Sequence, residues 1–327
     1  MMEQKLRVIA EKMKIKRANL GLSRGKMGYA LFFYQYALHV DPRYEDHAHG
    51  CLDEIIAGIR EVNSNCYADG LPGIGTGIEY LAREGLIDGD TNEVLHDFDG
   101  IIARAGFFSP PSIDTRTGII GQGTYYLARL NNPINIENAN RDTGFVEAQL
   151  SKIVDMLSVN YFGYKDLFFI MGFLPGVIRL NINRGKAVTY FNYAVDLLET
   201  MVYEDIHFKK YPGAFNPLIA AMLLSRSSVK TGNRDLADRA ARLLEKHEPG
   251  FRLHLAEKYA IKWAFLYHTL WKTCNHEVYK ELSTRWLDKT TGSSLDSEPE
   301  TLIMSGMMLL SMNNSINDDW LDWFPMH

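Results

Sequence analysis

With 327 residues, 46% of them hydrophobic, the chain is long enough to bury a sizeable core, and its net charge of −5 leaves no basic surplus to attract nucleic acid or an anionic membrane surface. Three cysteines, Cys51, Cys66 and Cys274, stand far apart without metal-type spacing, which argues against a disulfide framework or a zinc ribbon. No uninterrupted apolar run reaches about 18 residues, so no membrane-spanning helix is expected and the chain reads as soluble and cytoplasmic.

The first segment, MMEQKLRVIAEKMKIKRANLG, lacks the long apolar stretch and small-residue cleavage site of a signal peptide. It reads as an amphipathic helix with Leu6, Ile9 and Met13 on one side. A glycine turn and a strongly apolar run follow from Gly21, GLSRGKMGYALFFYQYALHV. Next, PRYEDHAHGCLDEIIAGIREV places Ala48, Leu52, Ile55, Ile56 and Ile59 on one stripe. The pattern then recurs. GLPGIGTGIEYLARE begins at Gly70, and DTNEVLHDFDGIIARAG opens with the capping-box pair Asp90 and Glu93. GIIGQGTYYLARL begins at Gly118 and GFLPGVIRLNIN at Gly172.

Taking the second glycine of each turn as a marker, Gly28, Gly73, Gly121 and Gly176 are 45, 48 and 55 residues apart. Weaker copies follow at roughly the same spacing near Pro217, Trp263 and Gly306, so seven copies cover the chain. Each copy is a pair: a helix apolar almost all round, hence buried, and an amphipathic one. Strand signals are few, and no linker composition divides the chain. The expectation is one all-α domain over 1–327, with seven inner and seven outer helices. The aromatic tail NDDWLDWFPMH favours closure into a ring over an open solenoid.

The glycines do not fit a phosphate loop, because neither GxxxxGK[ST] nor GxGxxG is present after a strand. They read instead as packing positions, and the one before each helix also as a residue free to take positive φ. In a ring the inner-helix N-termini converge at one mouth, where their dipoles favour an anionic group. Residues just before the glycines are therefore the candidates for binding: Arg24, Lys26, Asp69, Asp114, Arg116, His207, Tyr211, Lys258 and Tyr259. Their mixed charges suit a polar or peptide ligand. His47 and Cys51, four apart, share a helix face but read as a solvated one. Tyr29, Tyr80, Tyr125 and Tyr126 read as core.

DGLPGIGTGIEYL, GLIDGDTNEVLHDFDGII, GIIGQGTYYL, the seven-fold repeat and the terminal WLDWF together resemble the lanthionine synthetase C-like family. The resemblance implies an α,α-toroid of seven inner and seven outer helices. It also implies, in active members, a zinc ion on two cysteines and a histidine that activates a peptide thiolate for addition to a dehydroamino acid. This chain departs from that pattern. The fifth turn, HFKKYPGAFNPLIAAM, has no cysteine. The sixth has Lys258, Tyr259 and Ala260 where Cys-His-Gly belongs, and the fourth-turn histidine falls on Gly172. An aspartate seven residues before the third glycine is retained as Asp114, with Arg116 beside it.

The expectation is a protein without metal or cofactor. It would bind a peptide or a partner modification enzyme and perform no zinc-dependent cyclisation. Two alternatives stand: a carbohydrate-active enzyme using Asp69 and Asp114 as its acid–base pair, and an active cyclase with displaced ligands, Cys274 and His276.

Overall fold

The computed structural model describes residues 2–15, 18–104, 112–133, 141–157, 162, 166–208, 217–246, 260–292, 298–313, 315–317 and 320. Among the described residues the architecture is all-helical, with two short 3-10 turns and one isolated bridge between Asn19 and Gly25 as the only other regular features. The chain divides into two compact units, Met1–Gln149 with Asp288–His327, and Leu150–Leu287. Both boundaries fall inside helices, which is why no linker composition marks them.

In the first unit, α1 (Met2–Ile15) buries Leu6, Ile9, Ala10 and Met13, the face expected from its period. The next helix, α2 (Lys26–His39), is buried from Met27 to Ala37 without a polar face. It packs on α3 (Glu45–Gly58) and on α4 (Leu71–Arg83). Helix α4 in turn packs on α5 (Thr91–Arg104) and α6 (Ile119–Asn131). At the start of α5, Asp90 Oδ1 accepts the Asn92 N–H at 2.8 Å, an N-terminal cap at the expected place. At the end of α4, Gly85 takes φ +66° and the Leu86 N–H reaches the Leu81 carbonyl at 2.8 Å, a left-handed C-terminal cap. The last helix, α14 (Pro299–Met312), begins on a proline and packs against α1 and α2.

In the second unit, α8 (Asp166–Arg179) packs on α9 (Arg184–Phe208) and α10 (Pro217–Thr231). Helix α10 packs on α11 (Arg234–Lys246) and α12 (Ala260–Cys274). The two remaining helices, α7 (Arg141–Met156) and α13 (Glu277–Gly292), carry the unit boundaries. The apolar helices α8, α10 and α12 thus form a row, each next to the one two elements away in sequence. The row α2, α4, α6 repeats this in the first unit.

The stripe read along α3 is corrected. Ala48, Cys51 and Ile55 are its buried positions, whereas Ile56 is 64% exposed. The fourth and seventh repeat registers are corrected too. Gly28, Gly73 and Gly121 are each the third residue of their helix, but Gly176 lies near the end of α8 and Gly306 in the middle of α14. Gly172 is likewise interior to α8, with nothing within 4 Å of an added Cβ. A glycine there marks no turn. Of the C-terminal segment, Trp320 is buried and 321–327 lie outside the described residues.

Candidate functional site

Three turns in the first unit are built alike. The Lys26, Leu71 and Ile119 N–H groups donate to the carbonyls of Asn19, Ser64 and Ser112, each seven residues back, at 2.6, 3.0 and 2.9 Å. The glycine before each helix, Gly25, Gly70 or Gly118, has an extended backbone with φ −127°, −121° and −98°. Positive φ is therefore not their purpose, contrary to expectation. Space is. A Cβ on Gly70 or Gly118 would collide with the carbonyls of Ser64 and Ser112. The marker glycines are closed in twice over. A Cβ on Gly73 would strike the Tyr67 carbonyl and press on Leu22 of the preceding turn, and one on Gly121 would strike the Thr115 carbonyl and Tyr67.

The turns are also bonded to one another. The Ser23 N–H donates to the Ala68 carbonyl at 2.9 Å, and the Ala68 N–H donates to the Arg116 carbonyl at 3.3 Å. Ser23, Ala68 and Arg116 each stand five residues before their marker glycine, so the seam runs in repeat register. Gly21 has no side chain because the Asp69 backbone fills that space.

Of the predicted binding residues, the fold brings Arg24 and Arg116 together. Arg24 Nε lies 3.4 Å and Arg116 Nη2 3.0 Å from the same oxygen, Oε2 of Glu300, at the start of α14. Glu300 is the residue that sequence reading missed. Its only signal is its place in the first turn of the seventh apolar helix. Arg24 remains half exposed, Arg116 is mostly buried, and both reach the same single oxygen of Glu300. Beside them, Asn19 Nδ2 donates to Asp69 Oδ1 at 3.0 Å.

Asp114 is tied into its own turn. Its carboxylate accepts the Thr117 N–H at 2.6 Å, the Thr117 hydroxyl at 2.8 Å and the Ser112 hydroxyl. These bonds hold the carboxylate inside its own turn. Lys26 is not in the cluster. As the first residue of α2 it faces α3, with Nζ 2.9 Å from Glu54 Oε1. Tyr211, Lys258 and Tyr259 lie outside the described residues, as does the His207 side chain.

Among the described residues no three His, Cys, Asp or Glu side chains come together in a way that could hold a metal ion. Cys274 ends α12, exposed, with its Sγ 3.4 Å from the Ser225 hydroxyl, and the His276 ring lies tilted beside that of Tyr279, 5.7 Å between centroids. Helix α12 is 15 residues long, so Cys274 lies about 20 Å along the axis from the helix start.

The four tyrosines are core, each no more than 1% exposed. Tyr80 accepts from Gln35 at 2.9 Å and Tyr125 donates to Asp99 at 2.6 Å.

Among the described residues these elements form an all-helical protein in which Arg24 and Arg116, from the turns before α2 and α6, meet Glu300 at the start of α14. No family model matches the chain, and no curated protein matches it. No described helix is long and apolar enough to cross a membrane.

Proposed function

We propose that the chain is a lanthionine synthetase C-like α,α-toroid that binds a peptide, or a segment of a partner enzyme, through an acidic group and performs no zinc-dependent cyclisation. The observation that carries this reading is the convergence of Arg24 and Arg116 on Glu300. Two guanidinium groups from different repeats share one carboxylate oxygen, which is the geometry that would receive a carboxylate from a ligand. Three things support the ring: the alternation of apolar and amphipathic helices, the seam between successive turns, and the packing of α14 on α2. The Lys258-Tyr259-Ala260 run supports the lack of cyclase chemistry, since it has no thiolate or imidazole to offer zinc.

The carbohydrate-active alternative is less favoured. Asp114 is bonded within its own turn and one Asp69 oxygen is bonded to Asn19, and nothing in the geometry sets the two carboxylates up as an acid–base pair. The displaced-ligand cyclase is less favoured because of where α12 leaves Cys274.

The test combines metal analysis with peptide binding. Purified protein is expected to carry no stoichiometric zinc. A fluorescent peptide rich in Asp and Glu is expected to bind, and Arg116→Ala to weaken it by about tenfold, with a basic peptide as control. Tightly held stoichiometric zinc would overturn the reading, as would equal affinity for both peptides.

A further inference from the structure

Two helices of the first unit carry one charge pattern on their exposed sides. On α5, Asp97 and Arg104 stand seven residues apart, which is about two helical turns, so they lie in one line along the axis. Gly100 and Ile101 fall between them. On α3, Asp53 and Arg60 have the same separation, with Ile56 and Ala57 between them; Arg60 belongs to the 3-10 turn Ile59–Glu61 that continues the helix. All four charged side chains are exposed, and none has an ion pair among the described residues.

On both helices the line points away from the core. Asp99 and Ile55, the buried residues two positions beyond Asp97 and Asp53, sit about half a turn from it. Apolar side chains accompany it into solvent: Ile56 is 64% exposed and Ile101 40%. Gly100 keeps the α5 surface low, since a Cβ there would meet only the Arg104 guanidinium, at 3.9 Å.

The two lines also run side by side. Helix α3 packs on α2 and α5 on α4, α2 packs on α4, and the turns before α2 and α4 are bonded to each other. Both lines follow their marker glycines, Gly28 and Gly73, at nearly the same distance in sequence, so their midpoints stand level. An acid at one end, a base at the other and small or apolar residues at the centre make a pattern that complements itself when turned round. A second copy laid antiparallel, about a twofold axis through both midpoints, sets Asp97 against the partner's Arg104 and Asp53 against the partner's Arg60, each pairing made twice.

We propose that the outer face of α3 and α5 is the contact of a twofold-symmetric homodimer of this chain. A partner of one sign fits it poorly, because a basic segment meets Arg60 and Arg104 and an acidic one meets Asp53 and Asp97. Two helices of about 20 Å each make a contact below the roughly 1,600 Å² of a standard interface. The dimer therefore forms at about 10–100 μM rather than at nanomolar concentrations.

The test is sedimentation equilibrium of the intact chain between about 1 and 500 μM. A reversible monomer–dimer equilibrium is expected, weakening as salt is raised. Asp97→Arg brings arginines face to face and is expected to weaken association about tenfold. Adding Arg104→Asp reverses the pattern without losing its complementarity, and is expected to restore association to within about threefold. These positions are exposed, and circular dichroism checks that the variants keep their helical content. Gly100→Cys combined with Cys274→Ser is expected to give a dimer joined through position 100 by a short bis-maleimide, located by peptide mass mapping. The proposal is overturned if the chain stays monomeric throughout, which would leave this face to a different protein. It is overturned equally if Asp97→Arg associates like the parent chain, if the double variant does not recover, or if cross-links join other positions only.

Discussion

Arg129 and Asp99 form an ion pair shut off from water: Nη2 stands 2.9 Å from Oδ2, and neither side chain is more than 4% exposed. The same guanidinium reaches Glu79 Oε1 at 2.6 Å. Asn132 and Thr91 complete the Glu79 carboxylate, at 2.5 and 3.1 Å, and Tyr125 completes Asp99. The cluster ties α4, α5 and α6 into one piece. Arg129 pairs with both carboxylates. Removing one partner of a buried pair strands the other, at about 3–5 kcal/mol. Arg129→Ala is expected to lose stability in that range, read from the urea midpoint at unchanged slope. A loss below about 1 kcal/mol would mean that the carboxylates find other partners.

Glycines separate into two classes that substitution should distinguish. Gly73→Ala drives a methyl group into the Tyr67 carbonyl, and Gly121→Ala drives one into that of Thr115. Both carbonyls belong to the turn backbone and cannot move aside without breaking the seam. Each substitution is expected to cost about 2 kcal/mol or more. Gly172→Ala meets open space in the interior of a helix and is expected to stabilise by about 0.5–1 kcal/mol. Paired thermal melts decide the matter. A stabilising Gly73→Ala would remove the packing explanation for the repeated glycines.

Alkaline pH should unfold the chain within a defined window. Burial pushes the Tyr29, Tyr34 and Tyr267 phenols up to about 12 from an ordinary value of 10.0. A phenol whose folded value is the higher one contributes its full stability below the unfolded value. It loses that contribution as pH rises through the folded value. The urea midpoint is therefore expected to hold steady up to about pH 10 and to fall between about 10 and 12. Tyr267→Phe should make that fall shallower. A midpoint that stays flat through the window would contradict the burial of these rings.

The cysteines should react in order of exposure. Burial pushes the Cys51 thiol up to about 11, with Lys26 acting to lower it and Glu54 to raise it. At about pH 8 its thiolate fraction is then on the order of one in a thousand. Cys274 is exposed at the end of α12. Iodoacetamide followed by peptide mass mapping should find Cys274 alkylated first and Cys51 last. Equal rates would show that the buried face of α3 opens readily.

Sequence reading reached the helices and the first three turns for a physical reason. In α2, α4 and α6 the glycine has one job, to let backbone pass close by, and that job leaves a fixed offset from the helix start. At Gly172, Gly176 and Gly306 glycine sits inside a helix. The letter is the same but the cause differs, and the register slipped there. Cys51 was misplaced for a related reason. The stripe through Leu52 and Ile56 is as regular as the one through Ala48, Cys51 and Ile55, and only the packing of α2 against α3 selects between them.

The candidate site was legible in part. Arg24 and Arg116 follow from their place before the glycines. Glu300 does not, because the contact spans most of the chain and the seventh repeat carries no glycine at the matching position. The Arg129 network went unread because Glu79 and Arg129 each stand singly in an otherwise apolar run and their pairing spans 50 residues.

The packing of α14 on α2 has a consequence for the order of events during synthesis. Helix α2 leaves the ribosome well before α14, with the whole of the second unit between them. At translation rates of about 5–20 residues per second, the apolar surface of α2 that faces α14 waits tens of seconds for its cover. The second unit, encoded between them, is complete before the first one can close. A nascent chain halted before Pro299 should therefore bind chaperones through α1 and α2 even when Leu150–Leu287 has already folded.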